Sequence, residues 1–243
     1  MTGTTYLRYE ILRSFRNRRF LYISLAFPIV LYLAITGANR HQTFDGVAYP
    51  LYFMTGMAAL GTMSAVLSSA AVIAAERTAG WTRQMRITPL TTRIYFASKV
   101  ACAYLRAVLS FAALCLAGSA FGVRLSVSEW LTVIGIFLVG LIPFAVLGIL
   151  LGHLLKADSA ALALGGIVTF FSLLGGAYAF LLAKSGPFFE IIKALPSYWL
   201  VQASKAARGG GGWPVEAWVV IAVWTAVLVP LTVFVYRRDT SRV

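Results

Sequence analysis

An all-α integral membrane protein is the fold class that the sequence predicts, and three observations carry it. The 243-residue chain is 60% hydrophobic and only 12% charged, against ~25% charged for a typical soluble domain. That little charge cannot cover a water-facing surface of this size. Six stretches, 20–38, 50–75, 100–123, 130–151, 160–182 and 218–236, are apolar over the ~17–25 residues that a membrane-crossing helix needs. Of the 21 basic and 8 acidic residues, only Arg106 falls inside them. The same composition excludes disorder, because disordered chains lack apolar and aromatic residues. It also makes a water-soluble enzyme a poor fit.

Each element follows in chain order. Residues 6–16 predict an amphipathic helix with Leu7, Ile11 and Phe15 on one face and Arg13 and Arg16 turned away. A basic amphipathic helix of this kind lies in the headgroup plane. The first span, 20–38, exceeds the ~7–15-residue core of a signal peptide and carries Pro28, so it is expected to remain as an anchor. The second, 50–75, is dense in small residues, among them Gly56, Ala58, Gly61, Ala65 and Ala70, which let helices approach closely in lipid. The third holds Arg106, which would contact either an anionic substrate or a neighbouring helix, or, one or two turns from the cytoplasmic end, snorkel to the headgroups, the favoured expectation. The fourth contains Gly148-x-x-x-Gly152. In the fifth, Gly165–Gly166 and Gly175–Gly176 are expected flex points.

Residues 183–217 predict short helices, with Pro187 at the start, a break at Pro196 and Gly209–Gly212 at the end. Phe188, Phe189, Tyr198 and Trp199 make this stretch too apolar for a plain loop. It either lies on or dips into the outer face of the bundle, or it makes an aromatic contact at the membrane interface. The last span is 218–236. No gap is long enough for a soluble domain, so 1–243 is read as a single transmembrane domain.

The formal charge of +13 would suggest a nucleic-acid binder in a soluble protein. Here, six spans put both termini on one side, and 15 of the 21 basic residues then share that side with them. The positive-inside rule makes that side cytoplasmic, and no nucleic acid is needed.

Candidate chemistry is sparse. No acidic residue lies in a span. His41 and His153 are far apart, and no metal-ligand spacing is present. There is no phosphate-binding loop, so any ATP would be bound by another chain. Cys102 and Cys115, on one helix, stand ~20 Å apart and cannot pair. A membrane-embedded lipid-modifying enzyme would have to rely on Arg106, His153 and Asp158. A non-transporting anchor or sensor is the other alternative. Phe53 and Met57 in the second span, and Phe170 and Phe171 in the fifth, suit either an adaptable apolar binding surface or ordinary core.

The most informative stretch runs from Glu76 to Leu90. Gly80 breaks the preceding helix, and Pro89 disfavours helix at Thr88, so a short helix is expected from about 80 to 87. The sequence here resembles the membrane subunit of ATP-binding-cassette type-2 exporters. The resemblance rests on Glu76-Arg77, Gly80, Met85 and Thr88-Pro89, followed by Tyr95 and Lys99 at the start of the next span. Arg83 departs from it, since an acidic residue is frequent there. The resemblance implies that Glu76, Arg77, Gly80, Trp81, Arg83, Met85, Arg86, Thr88, Pro89 and Leu90 form a coupling helix seated on a cytoplasmic ATPase. That partner would hold ATP and Mg, and this chain no cofactor. It implies two permease subunits, identical or different, in lipid. Their pathway would be lined mainly by spans two and five, which makes Phe53, Met57, Phe170 and Phe171 candidates. Pro196, Tyr198 and Trp199 would belong to an outer gate. The cargo would be a hydrophobic or amphipathic small molecule (a drug, antibiotic or lipid-like compound) leaving through a bacterial plasma membrane. The small size resembles the drug- and antibiotic-export branch, similar to daunorubicin-resistance permeases.

Overall fold

The computed structural model describes residues 3–16, 22–44, 46–80, 91–178, 186–209 and 211–240. Among these, five helical stretches are long and apolar enough to cross a membrane, and a shorter apolar one covers Ser24–Asn39.

The chain opens with α1 (Gly3–Arg16). A π-helical turn at Tyr22–Ala26 leads into α2 (Phe27–Asn39), where Pro28 sits in the first turn and loses no hydrogen bond by lacking an N–H. A small antiparallel hairpin follows, β1 (Thr43–Phe44) and β2 (Val47–Ala48), in the register Thr43↔Ala48 and Phe44↔Val47. It was not expected from sequence; Gly46, at φ +80°, supplies its turn.

The second apolar stretch forms α3 (Tyr49–Leu67) and α4 (Ser69–Thr78). The break at Ser68 has a local cause. Ser64, Ser68 and Ser69 each turn a hydroxyl back onto a carbonyl of the preceding turn, which bends helices.

Helix α5 spans Thr92–Ala120 and starts eight residues earlier than the apolar pattern predicts, because Thr91 caps it by accepting from the Ile94 N–H. Helix α6 (Val127–Gly140) opens on a capping box of Ser126 and Glu129. Pro143 forces a break at Leu141 before α7 (Ile142–Leu154). Helix α8 (Ala157–Leu174) stops at Gly175–Gly176, with Gly176 at φ +82°. The described helix is thus shorter than the span expected to reach 182. Three short helices follow, α9 (Pro187–Lys193), α10 (Pro196–Val201) and α11 (Ala203–Arg208), with the expected break before Pro196. The last helix is α12 (Val215–Thr240).

Helix α3 is the axis of the bundle. It packs against α2, α5, α7, α8 and α10, and nearly every residue in it is buried. Small residues permit this crowding. A Cβ at Gly56 would stand 2.6 Å from the Ala177 carbonyl oxygen, and one at Gly148 of α7 would stand 3.3 Å from the Val66 carbonyl oxygen. The outward faces of α12 are instead apolar and exposed, as at Val223, Val227 and Phe234, which suits contact with lipid.

Of the two readings of these side chains, ordinary core is the one the structure shows for Phe53, Met57 and Phe171. Phe53 and Met57 are fully enclosed and line no surface of the chain, since a helix surrounded by five others has no free face. Phe53 stacks between Tyr32 and Tyr49. Of the fifth-span pair, Phe171 is buried against Phe144 and Trp224, and only Phe170 is exposed.

Candidate functional site

Among the described residues, the buried charged side chains gather at one end of the bundle. Helix α4 ends there, α5 begins there, and α1, α7 and α12 all reach it. Glu76, on the last turn of α4, and Lys99, two turns into α5, are both buried. The Lys99 ammonium donates to Glu10 at 2.6 Å and to Glu76 at 2.7 Å. Arg13 reaches the same Glu76 oxygen at 2.8 Å. The Tyr95 hydroxyl donates to the other oxygen at 2.7 Å.

Local spacing builds this cluster. Tyr95 and Lys99 are four residues apart on one face of α5, and Tyr6 and Glu10 are four apart on the buried face of α1. Two carboxylates, one ammonium and one guanidinium balance. Balance is required, because a buried charge without a partner is costly. Lys99 is only 2% exposed at its side chain, so it depends on both acids.

Arg106 lies two turns further along the buried face of α5. Its Nε donates to the Cys102 carbonyl at 3.3 Å. The expectation that it snorkels is overturned. Arg106 is 6% exposed and faces protein, because α1 folds back over this face of α5.

Arg77 points the other way. It forms a two-pronged pair with Asp239 of α12, both contacts at 2.7 Å, and donates to the Gly152 carbonyl at 3.1 Å. Thr92 and Tyr236 share a hydrogen bond at 3.3 Å. Phe96, His153 and Tyr236 form a three-ring cluster that joins α5, α7 and α12. Adjacent residues of α4 therefore hold separate groups of helices: Glu76 holds α1 and α5, and Arg77 holds α7 and α12.

The predicted site residues divide accordingly. Glu76 and Arg77 are the centres of this network. Gly80 closes α4 at φ +72° and is exposed, which fits its reading as a breaker. Trp81, Arg83, Met85, Arg86, Thr88, Pro89 and Leu90 lie outside the described residues. On α1, Leu7 and Ile11 are half-buried beside the more deeply buried Tyr6 and Glu10; the side chain of Phe15 is outside the described set. Sequence reasoning missed Glu10 and Asp239 as partners. The signal for Glu10 was its place as the lone acid among the arginines of the first helix.

At the opposite end, Pro196, Tyr198 and Trp199 are buried. Trp199 donates its indole N–H to the Lys193 carbonyl at 2.8 Å and accepts from Trp213 at 3.1 Å. Thr55 of α3 donates to the Val201 carbonyl at 3.0 Å. Of the two readings of this segment, packing into the bundle is the one realised.

The residues that a lipid-modifying enzyme would need occupy separate places. His153 sits among rings, Arg106 is buried on α5 against the Cys102 carbonyl, and Asp158 is exposed at the start of α8. No group of three metal-ligating side chains occurs among the described residues.

A family model described as "ABC-2 family transporter protein" matches residues 34–236. The chain belongs to the ABC-2 family. It is 30% identical over 168 residues to YvfS of Bacillus subtilis (strain 168), whose name describes a transport permease; the match covers 65% of this chain and 69% of that protein. No solved structure matches. This ABC-2 protein is therefore a multi-pass membrane subunit of a transporter.

Proposed function

We propose that this ABC-2 permease is the membrane half of an ATP-driven exporter, and that residues 76–90 receive the stroke of a separate ATPase. One observation carries the reading. The stretch 81–90 is bracketed by Glu76-Arg77 before it and Tyr95 and Lys99 after it, and these four side chains hold α1, α5, α7 and α12. A displacement of that stretch would act on four helices at once. Discrete ion pairs suit such a role because they exchange partners between packed states rather than deform continuously.

The ATPase would supply ATP and Mg, and this chain no cofactor. Two permease subunits would complete the complex, with both termini in the cytoplasm of a bacterial cell. The cargo would be a hydrophobic or amphipathic compound, in keeping with the drug- and antibiotic-export branch. With Phe53 and Met57 enclosed, Phe170 remains as an exposed candidate for the pathway.

Co-purification with the cognate ATPase tests the reading. Gly80→Pro forces a φ near −65° where the chain needs +72°. It is expected to lower ATPase association, and the permease alone is expected to show no ATP hydrolysis. Unchanged association and unchanged transport in both Gly80→Pro and Glu76→Ala would refute the coupling role.

A further inference from the structure

We infer that a slot between α5 and α6 is a binding site for one acyl chain of a membrane phospholipid. The two helices are consecutive and antiparallel, yet they do not pack along their lengths; each leans on other helices, α5 on α3 and α6 on α10 and α11. The space between them is a cavity of about 520 Å³. Its floor is Thr62, Ala107, Phe137 and Leu141, all buried. Its rims are Val108 and Leu116 on α5 and Ile134 and Leu138 on α6, all exposed. The slot therefore opens sideways, onto the lipid-facing surface of two membrane-length helices.

The wall decides the chemistry of the occupant. Its three hydroxyls are already spent within the protein. Thr62 donates to the Ala58 carbonyl, Ser119 to the Leu116 carbonyl and Tyr104 to the Leu138 carbonyl. No charged residue lines it. A polar ligand would lose its hydration here and find little to replace it beyond the Trp130 indole at the mouth, whereas a hydrocarbon loses nothing. At the ~30 Å³ that a small group occupies in a liquid, the volume holds on the order of fifteen methylene-sized groups, about one acyl chain. Left empty, the lining would forfeit its dispersion contacts. Ser119 and Trp130 place one mouth of the slot beside the connection 121–126, where Arg124 is exposed and available to a lipid phosphate. An indole at that depth is the usual marker of the headgroup region. None of this depends on the ATPase.

Ala112 lines the slot, so Ala112→Phe fills it. The full chain is purified in detergent, and dioleoyl phosphatidylglycerol is added back. The native chain is expected to retain one lipid and to gain thermal stability on add-back. Ala112→Phe is expected to lose retention roughly tenfold, equivalent to the burial of about two methylenes, and to lose the add-back shift while keeping ATPase association. Equal retention and equal shifts in both chains would overturn the site. As a second measurement, a phosphatidylglycerol with a photoreactive acyl chain is cross-linked to the native protein. Labelling concentrated on peptides 104–119 and 130–141 supports the slot. Labelling spread evenly over these and the exposed face of α12 overturns it.

Discussion

The two ends of the bundle are closed in different ways. At the Glu76 end, charged groups do the holding: Lys99 joins two carboxylates, and Arg77 grips Asp239. At the Trp199 end, three short helices are packed by apolar side chains and by indole N–H groups on carbonyls. Ser197, Gln202 Oε1 and Ser204 are buried at the Trp199 end without a hydrogen-bond partner among the described residues. Water would give those groups partners, which lowers the cost of parting that end.

The largest effect expected to distinguish the two ends is at Lys99. Lys99→Met leaves Glu10 and Glu76 facing each other in a buried site and should cost about 3–5 kcal/mol, read as thermal unfolding in detergent. Adding Glu10→Gln and Glu76→Gln removes the orphaned charges and should restore most of that stability. If Lys99→Met alone is neutral, the cluster is not the tie described. Next, Gly56→Val drives a side chain into the Ala177 carbonyl near the Trp199 end and should cost about 1–3 kcal/mol or more. Gly165→Ala meets nothing within 4 Å and should stabilise by up to ~1 kcal/mol. A similar response at both glycines would contradict the packing around α3. Trp199→Phe keeps an aromatic ring but shrinks the buried side chain and loses the bond to Lys193, the bond alone being worth about 1 kcal/mol, with ATPase association unaffected. Arg13→Ala should be the mildest. Its side chain is 61% exposed, so its pair with Glu76 is worth at most ~0.5–1 kcal/mol and should fade in high salt.

What the sequence made legible follows from range. The apolar spans, the break at Pro196 and the turn at Gly80 are local and were readable. The early start of α5 was written in Thr91, but a basic, polar first turn looks like loop until its partners are known. Lys99 and Glu10 are 89 residues apart, and no periodicity announces that they meet. The small residues of the second span were correctly read as a close-packing face. That they lie on all sides of a central helix, which encloses Phe53 and Met57, depends on the other helices and left no local trace. Arg106 misled for the same reason: distance from the membrane edge is visible in the chain, whereas the fold-back of α1 is not.

The central claim is that Glu76 transmits movement of residues 81–90 to the helices. Spin labels at Leu12→Cys on α1 and Leu154→Cys on α7, both exposed, in a Cys102→Ala, Cys115→Ala background, measure it. In the complex with the ATPase, the label separation should shift on ATP addition when Glu76 is present. It should stay fixed in Glu76→Gln, with the ATPase still bound. An equal shift in both proteins would contradict the claim.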